Sequence, residues 1–310
     1  MNCCLYFLLK DIFARLIFFL FFWFLLFCNN ILAAVNYINT QDAEEVRKRY
    51  NYTSAIVANA TTGEILYAYN ANARIIPASL TKMMTAYIVF DAIRKGKIGI
   101  NDKIDAKYTT KVNFKNDTTI KDLLYKMIIN SINEVTDVLA EESCASVENF
   151  ILKMNKFAKR FSMLDTNFAN TNGLYDVNHY STAYDMLKLS IRLVYDFPQY
   201  SELFGITNYI DENGEYNTKT TQIQENFSGI DGCKTGYLDA SGYNMSAWGK
   251  HGKDYIFIVI IGTNSKSDRD NSVIKMMSLV LQNKDLSLND KSQNGNFLEK
   301  ILHFFRIVND

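Results

Sequence analysis

Residues 75–90, IIPASLTKMMTAYIVF, are the segment that most constrains what this chain can fold into. The segment predicts a helix over residues 82–95, followed by Gly96 as a typical helix terminator. We expect four large side chains of this helix to lie in the core: Met83, Met84, Tyr87 and Phe90. A helix that is apolar on most of its sides must be buried against other elements. The chain is therefore predicted to build a layered domain around this helix, with Ser79 and Lys82 at its start.

Strands are predicted near both ends of the chain, with a block of helices between them. The strands are expected at 53–59, 64–69, 241–250 and 254–263, and the helices at 82–95, 118–130, 134–142, 146–161, 182–195 and 267–281. Strands from the two ends can pair into a single sheet. The predicted fold is therefore α/β (α+β), a mainly antiparallel sheet built from N-terminal and C-terminal strands with helices packed on both sides.

The composition argues against several classes of protein. The 310 residues are 48% hydrophobic and 21% charged, which suits a packed core and differs from a disordered chain. The formal net charge is zero, so no overall positive charge indicates a nucleic acid partner. Three of the five cysteines precede residue 30, and no Cys/His spacing indicates zinc. We expect neither a metal nor another cofactor.

The N-terminal segment has the order of a secretory signal peptide. Lys10 and Arg15 precede the apolar run 16–28, and a pair of alanines ends the segment. A membrane-spanning helix needs about 20 apolar residues, which the run reaches only if residues 31–35 extend it. Residues 1–34 are therefore predicted to be a signal peptide or an uncleaved anchor. Either would export the rest of the chain, to the periplasm or the outer face of a bacterial cytoplasmic membrane.

Three short motifs carry the candidate chemistry. S-x-x-K occupies residues 79–82 at a helix start, S-x-N occupies 131–133 at a break between helices, and K-T-G occupies 234–236 on a strand. Each motif alone is weak, because Ser79 could simply cap its helix. A second S-x-x-K also occurs at residues 272–275, inside an amphipathic helix. The three motifs in this order and in these contexts are the set found in β-lactamases and penicillin-binding proteins.

The residue types suit acyl transfer through a serine. A serine hydroxyl becomes a good nucleophile only when a neighbouring base takes its proton. Lys82 can be that base only when neutral, whereas a free lysine has a pKa of about 10.4. Burial and the second positive charge, Lys234, are expected to lower the pKa of Lys82. Ser131 offers a hydroxyl relay, and Asn133 offers an amide that orients substrate.

Longer segments around the motifs resemble the D-alanyl-D-alanine carboxypeptidases, the low-molecular-mass penicillin-binding proteins of the S11 serine peptidase family. They are PASLTKMMTAY, LLYKMIINSINEV, MNKFAKRFSMLDTNFANTNGL, HYSTAYDM and DGCKTGYLDASGYN. The resemblance implies a serine β-lactamase/DD-peptidase-like fold with a catalytic domain over residues 35–282. It also implies that the enzyme removes the terminal D-alanine from peptidoglycan stem peptides ending in D-Ala-D-Ala and is acylated by β-lactam antibiotics.

The same resemblance implies a role for each motif residue. Ser79 is similar to the acylated nucleophile, Lys82 to its general base and Ser131 to the proton relay. Substrate binding is implied for six further residues: Asn133, Lys234, Thr235, Gly236, Tyr237 and Arg269. Within that set, the backbone N–H of Tyr237 would complete an oxyanion hole with the N–H of Ser79. Arg269 is similar in place to an arginine that helps hold the substrate carboxylate.

Two features depart from the family pattern. The family usually has glycine or alanine in the middle of S-x-N, where this chain has Ile132. If that side chain points into the cleft, substrate access narrows. Members with a C-terminal β-rich domain are longer, whereas residues 283–310 here read as a polar linker and a short segment with apolar side chains at helical spacing. This tail is predicted to bind a membrane surface or to dock on the catalytic domain.

Three rival functions are weighed against the carboxypeptidase. A class A β-lactamase would need a deacylating glutamate between S-x-N and K-T-G, and residues 149–200 contain no Glu. A Ser-His-Asp hydrolase would need His179 or His251 beside a carboxylate, and His179 is expected instead to close a loop and cap the next helix. An inactive penicillin-binding or peptidoglycan-binding module would have no need of all three motifs intact.

Overall fold

The computed structural model describes residues 38–111, 117–210 and 223–284, together with 214, 216–218 and 221. Its strands are β1 (Ser54–Asn59), β2 (Glu64–Tyr69), β3 (Asn208–Ile210), β4 (Tyr216–Thr218), β5 (Gly232–Leu238), β6 (Gly242–His251) and β7 (Asp254–Thr263). Five of them form an antiparallel sheet in the order β2-β1-β7-β6-β5, and β3 pairs with β4 in a separate ribbon.

The pairing of β1 with β7 joins the two ends of the described chain. Ser54 lies opposite Ile261 and Asn59 lies opposite Ile256 in an antiparallel register. Every residue of β1 is buried, because the strand lies between β2 and β7. The predicted sheet of N-terminal and C-terminal strands is therefore confirmed. β5 lies at the edge of this sheet, so one side of its backbone has no strand partner there.

Helices occupy most of the region between β2 and β5, and one further helix lies at each end of the described chain. They are α1 (Thr40–Tyr50), α2 (Lys82–Arg94), α3 (Ala106–Lys111), α4 (Ile120–Ile128), α5 (Glu134–Cys144), α6 (Val147–Arg160), α7 (Ala183–Asp196), α8 (Pro198–Ser201), α9 (Ile223–Asn226) and α10 (Lys266–Lys284). Ser146 and Thr182 cap α6 and α7 as predicted, each accepting a backbone N–H in the first turn. α1 and the β3–β4 ribbon were not predicted from the sequence. α1 buries only Ala43 and Val46, too few apolar positions to show a helical period.

Helices cover both faces of the sheet. Phe257, Val259 and Ile261 of β7 join the hydrophobic core that contains α2. The alternate residues Ile256, Ile258 and Ile260 are equally buried on the opposite face, where α10 packs against β7 and α1. The predicted core side chains of α2 are all buried: Met83, Met84, Tyr87 and Phe90. The predicted fold class is confirmed.

The predicted signal peptide or anchor, and the tail beyond Lys284, lie outside the described residues. α10 continues two residues past the predicted domain end at 282. The boundaries at residues 34 and 282 stay predictions. Across the described ranges, every helix is too short or too polar to span a lipid bilayer.

Candidate active site

Ser79 lies in a 3-10 turn, Ala78–Thr81, that leads directly into α2. Ala78 has a φ of +50°, a left-handed conformation that is uncommon for a residue with a Cβ. The alternative in which Ser79 caps the helix is wrong: neither the turn nor α2 has a side-chain cap. The Ser79 Oγ instead lies 2.9 Å from the Nζ of Lys82. The tight turn therefore leaves the hydroxyl available to a side chain rather than to the backbone.

Lys82 is completely buried, and its Nζ contacts three oxygen atoms. It donates to the Asn133 Oδ1 at 2.7 Å and to the backbone carbonyl of Asn172 at 2.8 Å, in addition to Ser79. The amide and carbonyl oxygens can only accept hydrogen bonds. A neutral lysine directs its two N–H groups at these acceptors, which leaves its lone pair for the Ser79 hydroxyl. The geometry thus suits a base that takes the proton of Ser79.

Burial lowers the pKa of Lys82 to about 7, and the negative charge of Glu134 opposes the shift. Burial is the cause that the sequence argument predicted, and the predicted contribution of the Lys234 charge stays a prediction. The two lysines bond to different members of S-x-N: Lys82 to Asn133, and Lys234 to Ser131. Near neutral pH a substantial fraction of Lys82 is therefore unprotonated.

The S-x-N motif bridges the two lysines through a strained turn. Ser131 follows α4 with a φ of +63°, and its Oγ accepts a 2.9 Å hydrogen bond from the Lys234 Nζ. A non-glycine residue held in this region persists only when surrounding contacts enforce it, and such residues cluster at functional sites. Ile132, the departure from the family pattern, is partly buried and packs against the hydrophobic core. Its packing does not support the expectation of a narrowed cleft.

K-T-G brings the edge strand β5 against the nucleophile turn, the 3-10 turn Ala78–Thr81 that carries the candidate nucleophile Ser79. A Cβ added to Gly236 would lie 3.0 Å from the Pro77 carbonyl oxygen and 3.1 Å from the Ser79 nitrogen. Glycine therefore suits the close approach of β5, since a Cβ here would require the strand or the turn to shift by a few tenths of an ångström. Lys234 is only 1% exposed, and its Nζ also contacts the Thr235 carbonyl oxygen at 3.0 Å. The turn and the strand together enclose the side chains of S-x-x-K and S-x-N.

Tyr237 extends this edge with a partly exposed aromatic side chain. Its ring stacks on that of Tyr243 with centroids 4.2 Å apart, and its hydroxyl donates to the Asp239 carboxylate at 2.5 Å. The side chain is 46% exposed, whereas the neighbouring Thr235 is buried. Its predicted role involves only the backbone N–H, which lies on the edge strand.

Arg269 is the predicted residue that the structure does not join to the motifs. It is buried at the start of α10, and its Nε donates to the Asp270 Oδ1 at 2.7 Å. Its Nη2 is buried without a hydrogen-bond partner in the described part of the chain. Among the described contacts, Arg269 forms no hydrogen bond or ion pair with the three motifs.

A loop that the sequence analysis did not assign to the site holds the nucleophile turn from below. The Thr171 carbonyl accepts from the Thr85 hydroxyl at 2.6 Å, and the Thr171 hydroxyl donates to the Asp137 carboxylate at 2.6 Å. These bonds fix the next carbonyl, that of Asn172, toward Lys82. At Gly173, with a φ of +91°, an added Cβ would overlap the Ala78 carbonyl oxygen. No side-chain pattern marks this contribution, because Asn172 acts through its backbone.

His179 ties the same loop to the nucleophile turn. Its Nδ1 accepts the Ala169 N–H at 3.1 Å, so its Nε2 carries the proton and donates to the Thr81 Oγ1 at 2.8 Å. Burial lowers the pKa of His179 to about 4, which keeps the ring neutral. His179 closes the loop as predicted, whereas Thr182 caps the next helix. The contacts do not support a Ser-His-Asp site, since His179 bonds to Thr81 and not to Ser79.

The described residues contain no group of three or more His, Cys, Asp or Glu side chains that could hold a metal ion. The atoms that can act on a ligand are instead hydroxyls, amides and the two buried lysine amino groups. Such a set can activate a serine, hold an anionic group and exchange protons between them.

Comparison with known proteins yields concordant matches. The family model described as D-alanyl-D-alanine carboxypeptidase matches residues 40–265. The D-alanyl-D-alanine carboxypeptidase DacF of Bacillus subtilis is 32% identical over 239 residues, 72% of this chain and 60% of that protein. DacA of Haemophilus influenzae is 31% identical over 205 residues, 62% of this chain and 52% of that protein. The chain thus spans between about half and three fifths of the length of these curated relatives. Among solved structures, penicillin binding protein 5 from Haemophilus influenzae matches with a TM-score of 0.69 and 28% identity, over 74% of this chain and 70% of that one.

Proposed function

The chain belongs to the D-alanyl-D-alanine carboxypeptidase family, peptidase S11, and on that premise we propose that it removes the terminal D-alanine from peptidoglycan stem peptides ending in D-Ala-D-Ala. The reaction proceeds through an acyl-enzyme on Ser79. One observation carries the proposal: the buried Nζ of Lys82, with a pKa of about 7, lies 2.9 Å from the Ser79 Oγ. A base with a pKa near the working pH is the most effective one.

Acylation begins when Ser79 attacks the carbonyl carbon of the penultimate D-alanine. As the new C–O bond forms, the hydroxyl proton moves to the lone pair of Lys82. The other two N–H groups of Lys82 stay hydrogen-bonded to the Asn133 Oδ1 and the Asn172 carbonyl oxygen. The carbonyl oxygen becomes an oxyanion. The backbone N–H groups of Ser79 and Tyr237 stabilise it, a role supported by the close approach of β5 to the nucleophile turn.

The peptide bond then breaks, and the leaving amine needs a proton. Ser131 is the proposed relay, because its hydroxyl lies in the same enclosed group and is oriented by Lys234. It passes a proton to the amine and is resupplied from the protonated Lys82. Water later attacks the ester carbonyl while Lys82 takes its proton. The bond between the acyl carbon and the Ser79 Oγ then breaks, Lys82 returns the proton to the Ser79 Oγ, and the shortened peptide leaves.

The free carboxylate of the terminal D-alanine is what separates this substrate from an internal peptide. Lys234 is a buried lysine whose Nζ contacts the Ser131 hydroxyl and the Thr235 carbonyl oxygen beside the Ser79 turn. A carboxylate is strongly attracted to a lysine ammonium group. We assign Thr235 and Gly236 to the same carboxylate pocket. Arg269 joins it as a proposal supported by its Nη2, which is buried without a partner in the described ranges.

Covalent binding of β-lactams is part of the same proposal. The Haemophilus influenzae structural relative is named a penicillin-binding protein. A β-lactam offers a reactive carbonyl and a carboxylate, the two groups that Ser79 and Lys234 are proposed to meet. A class A β-lactamase is disfavoured, because its mechanism needs a deacylating glutamate and residues 149–200, which include the loop of Asn172, contain none.

The place of action follows from the substrate. An enzyme that trims peptidoglycan works outside the cytoplasm, and the predicted export signal in residues 1–34 agrees with this. We propose the periplasm or the outer face of the cytoplasmic membrane. We also propose that the apolar side of residues 296–310 contacts the membrane surface. Removing residues 296–310 from the mature chain should then reduce membrane association while activity is retained; a loss of thermal stability would instead indicate docking on the catalytic domain.

The proposed activity is tested with the mature chain and two reagents. A fluorescent penicillin should label the protein covalently, and a peptide ending in D-Ala-D-Ala should release free D-alanine. Labelling that disappears within seconds, together with penicillin hydrolysis and no release of D-alanine, would establish a β-lactamase. If the protein is not labelled and releases no D-alanine, the proposal is refuted and a binding module is the remaining interpretation.

A further inference from the structure

The β3–β4 ribbon contacts the segment just before the S-x-N motif. Tyr209, in the middle of β3, donates its hydroxyl to the Asn130 Oδ1 at 2.9 Å. Its ring packs edge-on against Tyr125 of α4, with centroids 5.2 Å apart. One tyrosine therefore contacts both the last turns of α4 and the residue that immediately precedes Ser131.

This junction is where the chain adopts a strained conformation. α4 ends at Ile128, and Ser131 has a φ of +63° before the backbone returns with a hydrogen bond from the Ile132 N–H to the Lys126 carbonyl at 3.1 Å. Serine in this conformation is disfavoured on its own. The contacts on either side must hold it, and the Tyr209 bond to Asn130 is one of them.

We infer that Tyr209 is a positioning residue for acylation, acting through Asn130 to hold Ser131 in the orientation that meets Lys234. The inference rests on the proposed function of the three motifs. The Tyr209 hydroxyl bonds to Asn130 and its ring packs on Tyr125, so its effect on Ser131 passes through the turn. When its hydroxyl is lost, the turn samples conformations in which the Ser131 Oγ leaves the Lys234 Nζ, and the relay is absent for part of the time.

A matched pair of substitutions separates this role from general stability. Tyr209→Phe removes the hydroxyl and keeps the ring on Tyr125. Tyr108→Phe removes a buried tyrosine hydroxyl that donates at 2.8 Å to Glu141, two turns along α5 from S-x-N. We expect Tyr209→Phe to slow single-turnover acylation by the fluorescent penicillin about fivefold, the size of one lost neutral hydrogen bond. Tyr108→Phe should acylate at the wild-type rate, with a similar change in melting temperature.

The second measurement asks whether the effect passes through Ser131. In a Ser131→Ala background the relay is already missing, so adding Tyr209→Phe should change the acylation rate by less than about 1.5-fold if the two act as a unit. A full fivefold effect in that background would overturn the inference, as would a Tyr209→Phe rate equal to that of Tyr108→Phe. A wild-type protein that is not acylated would count against the proposed function itself, before Tyr209 is considered.

Discussion

The chain contains S-x-x-K twice, and the two copies have different structures. Ser79 lies in a 3-10 turn with its hydroxyl 2.9 Å from Lys82, which is fully buried. Ser272 is also buried, but it lies inside α10, where its hydroxyl donates to the Asp268 carbonyl one turn earlier. Lys275 is exposed to solvent. The same four-residue pattern therefore yields a hydroxyl paired with an amine in one place. In the other it yields a buried serine and an exposed lysine of an ordinary helix.

The difference lies in what surrounds each copy. The hydroxyl of a serine inside a helix can donate to the backbone carbonyl four residues earlier, and it is then not available to a lysine. The turn at Ser79 is held instead by distant parts of the chain: β5 approaches through Gly236, and the loop around Gly173 packs against Ala78. Burial by these elements is also what lowers the pKa of Lys82 to about 7. Long-range packing, which buries Lys82 beside Ser79, is therefore what sets the first copy apart from the second.

Exchanging each serine for alanine gives the largest expected contrast. Ser79→Ala should abolish both penicillin labelling and D-alanine release, because no other nucleophile lies beside Lys82 in the described contacts. Ser272→Ala should leave both unchanged. Gel fluorescence and a D-alanine assay measure the two activities, and circular dichroism checks the fold. Activity lost in Ser272→Ala and kept in Ser79→Ala would reverse the assignment.

Alanine substitution of the two motif lysines should have effects on the acylation rate that differ almost as strongly. Lys82→Ala removes the base and should slow acylation by about 10² to 10⁴, the usual size of general-base catalysis. Lys275→Ala removes an exposed ammonium and should have no measurable effect on the rate. The rates are taken from single-turnover acylation by penicillin. A Lys82→Ala rate within about threefold of the wild type would exclude this lysine as the base.

Two glycine substitutions test whether the loop holds the nucleophile turn. Both Gly173 and Gly252 have positive φ, but only at Gly173 would an added Cβ meet other atoms, those of Ala78 and Thr81. Gly252→Ala should lower the free energy of unfolding by about 1–2 kcal/mol, the strain of the conformation alone. Gly173→Ala should lower it by about 3 kcal/mol or more and slow acylation as well. Denaturant titration gives both values. Equal losses for the two variants would show that the contact with Ala78 does not matter.

The pH dependence is the smallest expected effect and reports on Lys82 alone. Its protonated form cannot accept the proton of Ser79. Below its pKa of about 7, acylation should therefore slow about tenfold per pH unit as the neutral fraction falls. Above pH 7 the rate should level off. A base with the free-lysine pKa of about 10.4 would instead give a rate that keeps rising to about pH 10. The profile is measured by stopped-flow acylation, and a rate still rising steeply past about pH 9 would contradict a lowered pKa.

Sequence patterns predicted many of the elements that position the site, for local reasons. Helix caps at Ser146 and Thr182 and the buried side of α2 depend on residues within one or two turns. The ribbon around Tyr209 and the helix α1 were missed, because both are short of apolar residues in a regular period. The motifs did not reveal which lysine bonds to which partner: Lys82 bonds to Asn133, and Lys234 bonds to Ser131.

The sequence by itself determined the order of the motifs, the elements that carry them and the family to which they are similar. Tertiary structure alone decided that Lys82 meets the carbonyl of Asn172 and that Ser131 is held at a positive φ beside Lys234. The physical reason is range. Backbone propensities and caps act over a few residues, whereas burial, pKa and hydrogen-bond partners depend on segments that are distant in sequence and meet only after folding.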